Sequence, residues 1–132
     1  MTAFAILGSI FVFLAAVIHV LIFFLESVLW SKPSTWKRFG LKTQAEADTV
    51  KPMAFNQGFY NLFLAIGVGL GLVMIGAGIP GGVPLAIFAA GSMVLAPLVL
   101  FVSSPRLARS AAVQGIAPLL GIGFLLLALT TA

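Results

Sequence analysis

The chain has 132 residues, of which 61% are hydrophobic and 8% are charged, and its net charge is +4 at pH 7. A soluble domain of this size would carry about a quarter charged residues, so the composition excludes a water-soluble globule and predicts an integral membrane protein. The absence of cysteine excludes disulfides, thiolate chemistry and cysteine-ligated metal sites.

Four apolar segments are each long enough to cross the hydrocarbon layer of a membrane. The first extends from about residue 3 to 30, and the second from about 55 to 79, where GIPGGVP predicts a tight uncharged turn. The third extends from about 84 to 102 and the fourth from about 111 to 129. The predicted fold is all-α: a four-helix membrane bundle in one domain, residues 1–132, with short connections except the first.

Basic residues predict how the bundle is oriented. Five lie in the first connection and two in the third: Lys32, Lys37, Arg38, Lys42, Lys51, Arg106 and Arg109. By the positive-inside rule these connections are cytoplasmic and both termini are outside. Because the basic residues lie between apolar segments, the charge reports topology, and no nucleic-acid partner is predicted. Trp30, Trp36 and Tyr60 are expected on the same side as interfacial anchors.

The first connection, SKPSTWKRFGLKTQAEADTVKP, mixes aromatic and basic residues and contains a helix signal. Thr43 followed by Glu46 predicts a capping box and a short helix from Thr43 to Val50. Trp36 and Phe39 among Lys and Arg suit the headgroup region of a membrane. We therefore expect a loop lying on the inner leaflet.

Polar side chains cluster in the cytoplasmic half of the predicted bundle. His19 and Glu26 are seven residues apart and share one helix face, about 10 Å apart along the axis. The other half offers few polar groups, which predicts a pocket open toward the cytoplasm under an apolar lid and disfavours a monomeric channel. The candidate ligand-binding residues are His19, Glu26, Asn56, Gln57, Tyr60, Asn61 and Gln114.

Each of these residues also has a structural interpretation. Glu26 could pair with a nearby Lys or Arg, and His19 could bond to Asn61 or Tyr60 inside the bundle. The amides could cap the second helix and join helices by hydrogen bonds. A single histidine argues against a metal or haem site, which needs several ligands, and no cofactor is predicted.

Glycines in the second segment predict close helix packing, at Gly58, Gly67 and Gly71. Gly67 and Gly71 have the GxxxG spacing, which lets helices approach closely. Packing within the bundle is the favoured interpretation, and a homodimer through this motif is the alternative.

The chain resembles the small bacterial membrane proteins catalogued as domain of unknown function number 1304. Two stretches carry the resemblance, HVLIFFLESVLW and NQGFYNLFLAIG. The resemblance covers nearly the whole chain, and its NQG-YN-FLA-G pattern is fairly specific. It implies four spans in a bacterial membrane and no particular activity. The positions that carry it are His19, Glu26, Trp30, Asn56, Gln57, Gly58, Tyr60 and Asn61.

Three functions fit the sequence. The first is a multi-pass protein of the bacterial cytoplasmic (inner) membrane that binds a small or lipid-like ligand. A small proton-coupled transporter is one version of this function. The second is a structural or regulatory membrane subunit whose polar residues only hold helices together. The third is a membrane enzyme, which ranks last because His19 and Glu26 are too far apart on a straight helix to bond directly. The predicted partners are the lipid bilayer and this ligand.

Overall fold

The computed structural model describes residues 2–131, and within this range the chain forms helices and turns without a strand. The described residues contain five α-helices: α1 (Ala3–Phe23), α2 (Pro33–Trp36), α3 (Gln44–Gly76), α4 (Gly82–Ser103) and α5 (Ala108–Thr130). All but the short α2 are long and apolar enough to cross a membrane, α1 together with a following π-helical turn, Phe24–Val28. The predicted all-α fold with four membrane-length helices is therefore confirmed.

The four long helices pack as an antiparallel bundle in which α1 and α4 lie on a diagonal. α1 packs against α3 and α5, and α4 packs against the same two helices. Residues 29–43 and 104–107 connect helices at one end of the bundle, which we call the basic end. Six of the seven lysines and arginines lie in or directly after these connections, and Lys51 on α3 donates to the Ser31 hydroxyl of the first connection at 3.0 Å. Thr2, Thr131 and the turn at residues 77–81 lie at the other end. The cytoplasmic placement of the basic end stays a prediction.

Glycine permits the closest approaches between the long helices. A Cβ atom on Gly71 would lie 2.8 Å from the backbone nitrogen of Ala86, and one on Gly67 would lie 3.2 Å from the Cβ of Ala89. The GxxxG spacing of α3 is thus occupied by α4 of the same chain. Gly121 on α5 likewise faces α1, where its Cβ would lie 2.9 Å from the nitrogen of Val12. Small residues at these crossings allow the backbones to approach closely.

The main difference from the predicted boundaries concerns α3, which begins at Gln44 rather than near residue 55. The predicted capping box is present, since the Thr43 hydroxyl accepts from the nitrogen of Glu46 and the Glu46 carboxylate accepts from the nitrogen of Thr43. The helix then continues through Pro52, so the prediction of a separate short helix is wrong. Proline frees the carbonyl of Asp48, but this residue is exposed and the carbonyl can be hydrated.

The first connection is folded against the start of α3. Trp30 and Trp36 are only 5% and 4% exposed, and they pack with Ala47 and Ala54. Trp30 Nε1–H donates to the Ala47 carbonyl at 2.9 Å, and Trp36 Nε1–H donates to Oε1 of Gln44 at 3.3 Å. Both indoles are therefore buried within the protein and do not face lipid as membrane anchors, whereas the location of this connection on the inner leaflet stays a prediction. The extra turns of α3 supply the surface that buries both indoles.

Candidate functional site

Glu26 lies in the π-helical turn that ends the first membrane-length helix, and its side chain is 8% exposed. Its Oε2 accepts a hydrogen bond of 2.9 Å from Nδ2 of Asn61 on α3. The same Nδ2 donates to the carbonyl oxygen of Gln57 at 3.0 Å. The partner of the buried carboxyl is therefore a neutral amide and not the lysine or arginine considered from the sequence.

The close approach of this turn to α3 depends on Gly58. A Cβ atom at position 58 would overlap the hydroxyl of Ser27 and would lie 3.1 Å from both the Cβ and the nitrogen of that serine. The Ser27 hydroxyl donates to the carbonyl oxygen of Phe55 at 2.8 Å. The glycine thus lets the π-helical turn lie directly on α3, which brings Glu26 within bonding distance of Asn61.

A cavity of about 800 Å³ lies next to this junction at the basic end of the bundle. All four long helices contribute to it, and most of its lining residues are apolar. Its volume is within the range of about 300–1,000 Å³ that is usual for small-molecule pockets. The polar side chains that line it are Glu26, Arg38, Gln57, Asn61, Arg109, Ser110 and Gln114.

The first and third connections meet beside the cavity. Phe39 of the first connection and Leu107 of the third both line it. Between them, a Cβ atom on Gly40 would lie 3.6 Å from Cδ2 of Leu107. Gly40 itself has φ +84°, a left-handed conformation that glycine adopts without strain and that turns the chain toward α3. Both connections therefore contribute to the cavity wall at the basic end.

The structure brings four of the seven candidate ligand-binding residues together in this cavity: Glu26, Gln57, Asn61 and Gln114. Asn56 and Tyr60 lie outside its lining. Both are exposed on the surface of α3, and Tyr60 is 62% exposed. The helical periodicity explains this result, because Gln57 and Asn61 are four residues apart and share a face that Asn56 and Tyr60 do not.

His19 also lies outside the cavity lining, although it is only 1% exposed. Its Nδ1 makes a hydrogen bond of 2.8 Å with the carbonyl oxygen of Ala15, one turn earlier on the same helix. The partners considered from the sequence were Asn61 and Tyr60, so that interpretation is corrected. His19 and Glu26 both face the interior, but only Glu26 reaches the cavity.

Three polar lining residues were not among the candidates: Arg38, Arg109 and Ser110. The two arginines entered the sequence interpretation only as topology signals. Ser110 could have been found, since it lies four residues before Gln114 on the same face of α5. Arg38 offered no local signal, because the packing of the first connection against the bundle determines its position.

Comparisons with known proteins bear on the family of this chain. Neither curated proteins nor solved structures gave a significant match. The family model described as protein of unknown function (DUF1304) matches residues 13–126, which include every residue that lines the cavity. With its four membrane-length helices and this match, the chain belongs to the DUF1304 family of proteins of unknown function.

Proposed function

We propose that this protein binds a small amphipathic ligand in the cavity at its basic end. The observation that carries the proposal is the cavity of about 800 Å³ beside the buried Glu26–Asn61 pair. Binding pockets combine mainly apolar walls with a few polar groups that orient the ligand. A junction that only joined α1 to α3 would need the hydrogen bond but not the adjoining space.

The apolar and the polar lining residues suggest how such a ligand would lie in the cavity. Ile22 and Leu25 on the α1 side and Val113 on α5 would contact its apolar part. Gln57 and Gln114 would contact its polar part, since side-chain amides both donate and accept hydrogen bonds. With the basic end in the cytoplasm of a bacterium, the ligand would enter from the cytoplasm or from the inner leaflet.

Filling the cavity tests this proposal. Ala96 on α4 lines the cavity, whereas Val99 on the same helix is 66% exposed and lies outside its lining. The thermal stability of wild type, Ala96→Phe and Val99→Phe should be measured with dodecyl amphiphiles that carry anionic, cationic or neutral headgroups. A ligand that binds only the folded protein stabilises it by about 2.7 kcal/mol at a hundredfold excess over Kd.

We expect at least one amphiphile to stabilise wild type and Val99→Phe but not Ala96→Phe. Equal stabilisation of all three proteins would indicate binding elsewhere on the apolar surface. The absence of stabilisation in wild type would instead favour the structural or regulatory role, in which Glu26 and Asn61 only join α1 to α3.

A small proton-coupled transporter is the second candidate. The observation that favours it is the position of Glu26, an acidic side chain that lines the cavity and whose hydrogen-bond partner is a neutral amide. Acidic groups inside membrane helices commonly belong to ion or proton pathways. In proteoliposomes, wild type would then transport the cavity ligand at a rate that depends on pH. Glu26→Gln would abolish this flux, and the surface control Asp48→Asn would preserve it. Unchanged flux in Glu26→Gln would exclude Glu26 as the coupling group.

A further inference from the structure

The charges that line the cavity are unequal, with two arginines and one glutamate. Arg38 comes from the first connection and Arg109 from the first turn of α5. Arg38 uses its Nε–H to bond the carbonyl oxygen of Ser34 at 3.2 Å, which leaves the other four guanidinium N–H groups for other partners. The cavity wall therefore presents cationic donors from two different segments of the chain.

The acidic side chains of the chain accept hydrogen bonds from groups other than these arginines, including Glu26, which lines the same cavity. There are three, and Glu26 accepts from Asn61. Glu46 accepts from the backbone nitrogen of Lys42 at 2.8 Å, and Asp48 accepts from the Gln44 amide at 2.8 Å. The described hydrogen bonds thus give the cavity arginines no side-chain carboxylate as a partner, and an anion in the cavity would supply one.

We infer that the ligand of this cavity is a single-chain amphipathic anion whose carboxylate or phosphate headgroup binds Arg38 and Arg109. The inference rests on the proposed function and adds the chemical class of the ligand. The planar guanidinium group matches both headgroups, since it donates two parallel hydrogen bonds to paired oxygens. Ser110, four residues before Gln114, adds a hydroxyl to the same part of the wall.

The apolar lining residues are placed where they could contact the alkyl chain of such a molecule. Ile18, Leu21 and Ile22 on α1 and Leu25 in the following π-helical turn form an apolar wall from the level of Glu26 toward the middle of the bundle. The arginines lie at the basic end of this apolar wall, away from the middle of the bundle. A headgroup at the basic end therefore places an alkyl chain against apolar side chains, and a volume of about 800 Å³ suits one small ligand.

Photoreactive probes with one shared chain test the inference. Dodecyl probes with an identical diazirine and a carboxylate, a phosphate or a trimethylammonium headgroup are added to the full-length protein in zwitterionic nanodiscs. Mass spectrometry then measures labelling of cavity-lining peptides. The test variant is Arg38→Gln with Arg109→Gln. The matched control is Lys42→Gln with Arg106→Gln, which removes the same charge from the same two regions outside the cavity lining.

We expect both anionic probes to label the cavity about tenfold more than the cationic probe, a preference of about 1.4 kcal/mol that a charged hydrogen bond can supply. The test variant should lose this preference while the control keeps it, with both variants folding as judged by thermal unfolding. Free dodecanoate and dodecyl phosphate are then added separately as competitors of the labelling by the anionic probes. Stronger competition by free dodecanoate would indicate a fatty-acid-like ligand. Stronger competition by dodecyl phosphate would indicate a phospholipid-like ligand, and both results support the inference.

Equal labelling by the cationic probe would overturn the inference while leaving the proposed function intact. An equal loss in the control variant would also overturn it, because general surface charge would then explain the preference. If none of the three probes labels the cavity, the proposed function fails together with the inference.

Discussion

Replacing Gly58 with alanine should force the π-helical turn of residues 24–28 and α3 apart at the level of Glu26. A Cβ atom at position 58 would overlap the Ser27 hydroxyl and lie 3.1 Å from the Cβ and nitrogen of Ser27. Rotation of the hydroxyl would relieve the first contact but give up its 2.8 Å bond to the Phe55 carbonyl. The other two contacts would remain, so the helices themselves must shift.

The size of the effect follows from three contributions. Overpacking of an ordered interface costs about 1–3 kcal/mol. Loss of the Ser27 hydrogen bond adds about 0.6 kcal/mol, the average for hydrogen bonds between membrane helices. Alanine recovers about 1 kcal/mol through its higher helix propensity than glycine. Gly58→Ala should therefore lower the free energy of unfolding by about 0.6–2.6 kcal/mol.

The free energy of unfolding can be measured by titrating SDS into mixed micelles and following tryptophan fluorescence, since Trp30 and Trp36 are buried next to α3. Gly69→Ala is the matched control on the same helix, because a Cβ atom there would meet no heavy atom within 4 Å. This control should be neutral or more stable by up to about 1 kcal/mol. Equal stability of the two variants would refute the argument that Gly58 permits the approach of the π-helical turn.

Three further substitutions test the polar contacts at the basic end. Asn61→Leu should lower the free energy of unfolding by about 1–3 kcal/mol, because it leaves the buried Glu26 carboxyl without its donor. Glu26→Gln keeps an acceptor for Asn61 and should cost less, so equal losses in the same SDS titration would contradict this account. Trp30→Phe should cost about 1 kcal/mol by removing the donor to the Ala47 carbonyl, and trypsin should then cleave the first connection faster. An unchanged cleavage rate would argue against this connection being held by Trp30. Thr43→Ala should destabilise the start of α3 by about 1 kcal/mol, visible as faster hydrogen exchange over residues 44–50 only. Faster exchange throughout α3, or none, would show that the cap does not act locally.

Local properties of the sequence determined the four membrane-length helices. Each apolar segment is long enough to cross a membrane by itself, so its identification needs no knowledge of its neighbours. The capping box at Thr43 is equally local, because both of its hydrogen bonds span three residues. The helical period also puts Gln57 and Asn61 on one face, although the sequence interpretation did not separate them from Asn56 and Tyr60.

Contacts between distant segments decided which of these polar residues form a site. Glu26 and Asn61 are 35 positions apart, and they meet only because Gly58 lets the π-helical turn lie on α3. The sequence suggested a nearby lysine or arginine as the partner of Glu26, since any basic group at a similar depth would serve. Packing instead selects Asn61 through the distance between two particular helices.

The first connection shows most clearly which features follow from the local sequence and which depend on contacts between distant segments. Its basic residues and its helix signal could be recognised in the sequence, but the burial of Trp36 and the position of Arg38 in the cavity wall could not. Helix length, capping and charge are properties of neighbouring residues, so the sequence by itself determined them. A cavity is the space left between helices, so only the tertiary structure decided that Arg38 and Arg109 line the same one.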